Sequence, residues 1–226
     1  MFLHGAAEWI GYSSAFAARL ASGFRVIQPE RQGHGRTPDR DGGLTYAGMT
    51  ADTAGLIEEM SLSRPHVVGF SDGAIIALEL AMRHPELVGR VVAISPNVSV
   101  SGLTDDALEW LEDVTPETWP EHSARRHREL SPDGPDHWPV FCRKVIDMLR
   151  REPEIPFDEL ATIESPVLVV GGDRDLIRLE HFVDIHRAVP RSQLCIMPGT
   201  SHELTVEQPA LLAEITLRFL ASATDA

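Results

Sequence analysis

His66-Val67-Val68-Gly69-Phe70-Ser71-Asp72-Gly73-Ala74-Ile75-Ile76-Ala77-Leu78 is a short β-branched run that passes through a Gly-x-Ser-x-Gly turn into an alanine-rich helix. The strand reads as His66 to Gly69. The helix reads as Ala74 to Arg83, stopped by His84-Pro85, because a residue before proline is pushed out of the helical region. A serine at such a turn is held in a strained conformation with its hydroxyl exposed above the sheet. Glycines flank it because side chains there would collide with the neighbouring strand and helix. The helix that begins at Asp72 aims its N-terminal amides, and the positive end of its dipole, at the same point.

Working outward, short apolar runs alternate with amphipathic stretches. Strands are predicted at Phe24–Ile27, Val91–Ile94, Pro166–Gly171 and Gln193–Met197. Helices are predicted at Tyr46–Met60, with Met49, Thr53, Leu56, Ile57 and Met60 on one face, and also near 179–188 and 209–220. This rhythm predicts an α/β fold, a mostly parallel, doubly wound sheet covered on both faces. Residues 99–155 break it. They are rich in charge, Trp, His and Pro and contain no strand-like run, so short helices at 104–113, 121–130 and 137–150 are expected to form a lid. The core would then comprise 1–98 and 156–226.

Serine needs a base to take its proton. In this strand order the base follows an acid, both downstream of the serine. His202 is the one histidine of the chain that follows the last core strand, in Pro198-Gly199-Thr200-Ser201-His202-Glu203. The acid is expected just after strand 166–171, where Gly171-Gly172-Asp173-Arg174-Asp175 offers two carboxylates that spacing alone does not separate. His34, His84, His181 and His186 read as surface or loop residues.

Taken together these stations resemble the α/β-hydrolase superfamily. Phe2-Leu3-His4-Gly5 resembles the strand-end His-Gly that opens its oxyanion loop. Pro29-Glu30-Arg31-Gln32-Gly33-His34-Gly35-Arg36-Thr37 resembles its Gly-His-Gly-x-Ser/Thr loop, and Gly172-Asp173-Arg174-Asp175 its acid loop. Within the superfamily, Ser71-Asp72-Gly73 is similar to the elbow of valacyclovirase-like esterases and of bacterial carboxylesterases akin to enol-lactonases. The resemblance implies Asp175 as the acid, with Asp173 in reserve, and the amides of Ala6 and Asp72 as the oxyanion hole. It also implies a second role for the Asp72 side chain, recognition of a substrate ammonium; the alternative is a carboxylate stabilised by the helix dipole. Trp110, Trp119 and Trp138 either line the acyl pocket or pack inside the lid. The implied activity is a carboxylesterase acting on a small-molecule ester, which needs no metal or organic cofactor. Lactones, thioesters, perhydrolysis and C–C bonds are alternatives for the same residues, and a non-catalytic binding protein is an alternative of another class.

Bulk properties agree. The 226 residues suit one domain with an insertion, and a net charge of −14 argues against nucleic acid and anionic membrane surfaces. No apolar run approaches the ~20 residues of a membrane span. Cys142 and Cys195 lie in no metal-binding spacing and are expected to be reduced thiols of a cytoplasmic protein. A dinucleotide-binding reading fails because Gly33-His34-Gly35 leads into Arg-Thr-Pro, not a helix. One departure from the family is expected to matter. Only Met1–Leu3 precede His4-Gly5, where the family has two strands and most of a third. Either the natural start lies upstream, or the chain folds with an exposed edge, reduced stability and a tendency to pair as a homodimer.

Overall fold

The computed structural model describes residues 1–222. Strands β1 (Phe2–Leu3), β2 (Val67–Phe70), β3 (Val91–Ile94), β4 (Val167–Gly172) and β5 (Ser192–Met197) form one sheet in chain order, every neighbouring pair parallel. The helices are α1 (Ser14–Leu20), α2 (Tyr46–Glu59), α3 (Asp72–Arg83), α4 (Asp105–Asp113), α5 (Glu121–Leu130), α6 (Trp138–Leu149), α7 (Phe157–Leu160), α8 (Leu179–Ala188), α9 (Leu204–Glu207) and α10 (Pro209–Ala221).

Strand side chains alternate between two cores, as the twofold period of a strand requires. Leu3, Val67, Val91, Ala93, Val167 and Val169 face a layer built from α2, α3 and α8. Phe2, Val68, Phe70, Val92, Ile94, Leu168 and Val170 face the opposite layer, with Phe16 and Leu20 of α1 and Leu212 and Phe219 of α10. Burial on both faces explains why these strands are continuous apolar runs without polar alternation.

Phe24–Ile27 is not a strand, contrary to its β-branched composition. It runs beside β1, but only the Ile27 carbonyl is used, accepting from Phe2 N–H at 2.8 Å. The two-residue β1 offers no longer ladder at this edge. Helices α1, α7 and α9 lack the length to produce a visible period, and the sequence reading passed over them. The other expected strands and helices are present within a residue or two. The expected face of α2 is narrower than drawn: Met49, Thr53 and Ile57 are buried, whereas Met60 is exposed. Of the expected core, residues 223–226 lie outside the described residues.

Helices α4–α6 fall in the stretch expected of the lid. Its two ends meet: Ser99 bridges Glu154, and Ile155 N–H donates to the Val98 carbonyl at 2.7 Å. The insertion therefore leaves and re-enters the sheet region at one point, beyond the C-terminal end of β3.

The N-terminus of α3 drives hard against the end of β1. A Cβ on Gly73 would lie 2.2 Å from the Leu3 carbonyl oxygen, and one on Gly69 would lie 2.0 Å from the Gly73 carbonyl oxygen. Backbone, not a mobile side chain, occupies both places. Gly55, exposed in mid-α2, has nothing within 4 Å of such a Cβ. Gly73→Ala is therefore expected to cost about 3 kcal/mol through overpacking, whereas Gly55→Ala should gain about 0.5–1 kcal/mol by restricting the unfolded chain in a helix. Urea midpoints of the two variants check the pair.

Candidate active site

Ser71 caps α3 with φ of +52° and ψ of −119°, a left-handed conformation that a non-glycine residue adopts only when its surroundings enforce it. The strand before it and the helix after it, packed at Gly69 and Gly73, supply the enforcement. The turn lifts Oγ to 3.0 Å from His202 Nε2. On the other side of the ring, His202 Nδ1 lies 2.7 Å from Asp175 Oδ1. His202 stands in the loop between β5 and α9, and Asp175 in the loop after β4. All three come from the C-terminal ends of parallel strands, where such sites gather.

Asp175 is held by more than the imidazole. Ser95 Oγ donates to its Oδ2 at 2.6 Å, Ile177 N–H to Oδ1 at 3.2 Å and Gly172 N–H to Oδ2 at 3.4 Å. Burial pushes this carboxyl up, but His202 and these donors outweigh it and hold its pKa below the ordinary carboxylate value. Burial likewise pushes His202 down. The attraction and hydrogen bond of Asp175, with the charges of Glu203 and Asp72, reverse that and raise the imidazole above 6.5. Asp173, the other candidate, is exposed; its Oδ1 instead accepts Gly199 N–H at 2.7 Å and braces the histidine loop. Ser95 escaped the sequence reading, although its position just past the end of β3 was the available signal.

The loop His4–Ala7 lies across the site from His202. Side chains engage two of its carbonyls and two of its amides. Arg31 donates Nη1 to the His4 carbonyl and Nη2 to the Gly5 carbonyl, the latter at 3.1 Å. Gly5 N–H donates to Glu8 Oε2 at 2.8 Å, and Ala7 N–H to His34 Nε2 at 3.1 Å. Among the described residues, neither the Ala6 nor the Asp72 N–H donates to another protein group, and both residues line the cavity with Ser71. Two unspent donors beside a serine hydroxyl can together hold an oxyanion.

His34 and His181, read as surface or loop residues, are buried. Burial and the Arg31 charge drive His34 down to about 3. It is therefore neutral, with Nδ1 donating to the Gln32 carbonyl at 2.8 Å and Nε2 free to accept from Ala7. His181 Nε2 accepts Val98 N–H at 3.0 Å, at the root of the insertion.

The Asp72 carboxylate is buried. Its Oδ1 accepts the Tyr46 hydroxyl at 2.7 Å, while Oδ2 has no hydrogen bond and lies 4.0 Å from Arg31 Nη2. Above the site is a cavity of about 540 Å³, with Leu103, Ala107, Trp110, Leu111, Trp119 and Ile177 on its apolar side. Trp110 is 44% exposed. Trp138, the other expected contact, does not line the cavity. It is buried within the insertion, its Nε1 donating to the Pro116 carbonyl at 2.9 Å, with Phe141 and His127 packed on it. Among the described residues no cluster of three or more His, Cys, Asp or Glu is arranged to hold a metal ion, and no helix is long and apolar enough to cross a membrane.

The chain belongs to the alpha/beta hydrolase family, whose model matches residues 1–215. It is 29% identical over 190 residues to serine hydrolase BPHL of Homo sapiens, covering 80% of this chain and 64% of the human protein, so it spans less than two thirds of that relative's length. The crystal structure of the putative non-heme bromoperoxidase BpoC of Mycobacterium tuberculosis H37Rv superposes with a TM-score of 0.74 at 26% identity, over 97% of this chain and 90% of that one. The enol-lactonase of Burkholderia xenovorans LB400, at a TM-score of 0.76 and 19% identity over 98% and 91% of the two chains, shares the fold.

The opposing effects on His202 are separable. Imidazole NMR is expected to give a titration midpoint above 6.5 in the wild type. In Asp175→Asn the carboxylate charge is gone and burial prevails, so the midpoint should fall below 6.5 and the neutral ring persist to lower pH.

Proposed function

We propose that the protein is a carboxylesterase that hydrolyses small carboxylic esters through an acyl-enzyme on Ser71. The observation that carries this reading is the hydrogen-bonded series Ser71–His202–Asp175, at 3.0 and 2.7 Å, opening onto a cavity with two unspent amides.

Ser71 Oγ attacks the ester carbonyl carbon while His202 Nε2 takes its proton. The carbonyl oxygen gathers negative charge facing the Ala6 and Asp72 amides, helped by the positive end of α3. Asp175 keeps the Nδ1–H tautomer and steadies the imidazolium. The C–O bond to the alcohol breaks and His202 returns the proton to the departing oxygen. Water, deprotonated by His202, then attacks the acyl carbon and releases the acid and Ser71. This sequence needs neither metal nor redox cofactor.

The apolar side of the cavity suits an acyl chain, with Trp110 and Trp119 as its aromatic wall. The Asp72 side chain, by contrast, supports structure more than substrate. Its free oxygen is hidden from solvent and faces Arg31, which leaves a substrate ammonium no direct approach.

Fluorophosphonate labelling and a p-nitrophenyl ester series of rising acyl length test the reading. Ser71→Ala is expected to lose labelling and at least ~10³-fold in kcat; equal labelling of the two proteins would sink the proposal. Trp110→Ala is expected to raise KM about 10-fold for the longest ester accepted, the loss of roughly 1.4 kcal/mol of apolar contact, and to leave acetate esters nearly unchanged.

A further inference from the structure

We propose that Arg31 is a positioning residue for the oxyanion hole, tying its two donors together from beneath. The inference rests on the esterase reading above and names a residue for that same site.

Arg31 is 6% exposed and touches neither Ser71 nor the cavity. Its guanidinium spans two consecutive carbonyls, those of His4 and Gly5. Turning the Gly5 carbonyl inward turns the N–H on the far side of that peptide bond, that of Ala6, outward toward Ser71, because the peptide unit is planar and its N–H and C=O point in opposite directions. The amides on either side of it are already taken: Gly5 N–H by Glu8 and Ala7 N–H by His34. The direction of the Ala6 N–H is thus set by what holds the Gly5 carbonyl. The same Nη2 lies 4.0 Å from Asp72 Oδ2, and the Asp72 amide is the second donor. Tyr46, through its 2.7 Å bond to Oδ1, fixes that carboxylate from the other side. One buried cation therefore links the β1 loop to the first residue of α3.

A guanidinium suits this task because its planar fork serves two carbonyl oxygens and a carboxylate together, whereas an ammonium is a point donor. The arrangement also accounts for a buried Arg–Asp pair that is too long for a direct hydrogen bond. The pair compensates charge, and the directional bonds go to the loop.

A merely structural role and a positioning role diverge in a double variant. Arg31→Met strands the buried Asp72 charge and should lower Tm. Adding Asp72→Asn removes that charge and should restore Tm while leaving both oxyanion amides in the backbone. If Arg31 positions the Ala6 amide, the double variant regains stability but keeps a loss in kcat of about 10²-fold, with KM within about 3-fold of wild type. Its affinity for a trifluoromethyl ketone, whose adduct places an oxyanion in the hole, should fall by the same factor. Asp72→Asn alone is the control. Arg31→Lys, which keeps the charge and loses the fork, should retain Tm and lose about 10-fold in kcat, and it decides the matter where the methionine variant does not fold. Methylguanidinium added to an Arg31→Ala protein should recover part of the rate.

A wild type without Ser71-dependent fluorophosphonate labelling overturns the esterase reading, and this inference with it. A wild type that labels, beside a folded Arg31→Met/Asp72→Asn or Arg31→Lys protein with wild-type kcat and inhibitor affinity, overturns the Arg31 assignment alone.

Discussion

The close approach of α3 to the end of β1 governs the rest of the site. Gly73 meets the Leu3 carbonyl with no room for a single carbon. Because the helix starts so near the strand, the residue before it must turn sharply, and Ser71 takes a positive φ. Because the helix starts there, the first residue after the serine is buried against the β1 loop, and that residue is Asp72. A buried carboxylate is costly unless it is compensated. Arg31 and Tyr46 are the compensation, and Arg31 is buried in turn and needs acceptors. The His4 and Gly5 carbonyls are those acceptors. A steric constraint at one glycine thus propagates through charge balance into the orientation of a peptide on the opposite side of the reacting centre.

Desolvation is the largest effect on the buried groups that titrate around Ser71, and for His202 and Asp175 the neighbours reverse its sign. It lowers His4, His34 and His202 and raises Glu8, Tyr46, Asp72 and Asp175. For His34, Arg31 adds to it and the ring stays neutral, which is the form that accepts Ala7 N–H. For His202, Asp175 reverses it. Two imidazoles in one site thus hold opposite tendencies. His202, the proposed base, has its pKa raised above 6.5, and His34, which accepts a backbone amide, is kept from titrating near neutrality. Separating pKa values by environment is how a site assigns distinct duties to like groups.

Much of this was legible in the residues. The strand and helix that flank the elbow and the helices of 104–150 were readable because each depends on local period or turn chemistry. Spacing left Asp173 and Asp175 unseparated, and it is the fold that sets Asp175 beside His202. Three further things were not legible. Phe24–Ile27 has strand composition, yet strand character depends on a partner of matching length, and β1 offers one bond. Arg31 and His34 stand in a Gly- and charge-rich loop, which reads as solvent-facing. That they fold inward depends on the His4–Ala7 loop, distant in sequence, presenting carbonyls and an amide to them. Trp110 and Trp138 belong to one segment and one residue type, but the first lines the cavity and the second fills the insertion's own core. Helical period ranks residues by face, and does not say which face meets a cavity and which meets another helix.

That last distinction separates the two halves of the molecule by what constrains them. The Ser71–His202–Asp175 series and the β1 loop are fixed by strand ends and buried charges, so their geometry is tied to the whole sheet. Most of the apolar wall comes from residues 103–119 of the insertion, and Leu103 bridges the remaining member, Ile177, in the loop after β4. Trp138, Phe141 and His127 pack together behind it, and Phe141 also meets the His34 ring edge-on at 4.8 Å, the ring that accepts Ala7 N–H. The two parts are nevertheless joined through His34, which meets Phe141 on one side and the β1 loop on the other. A change at Phe141 can therefore reach the Ala7 amide through His34, from a position that does not line the cavity.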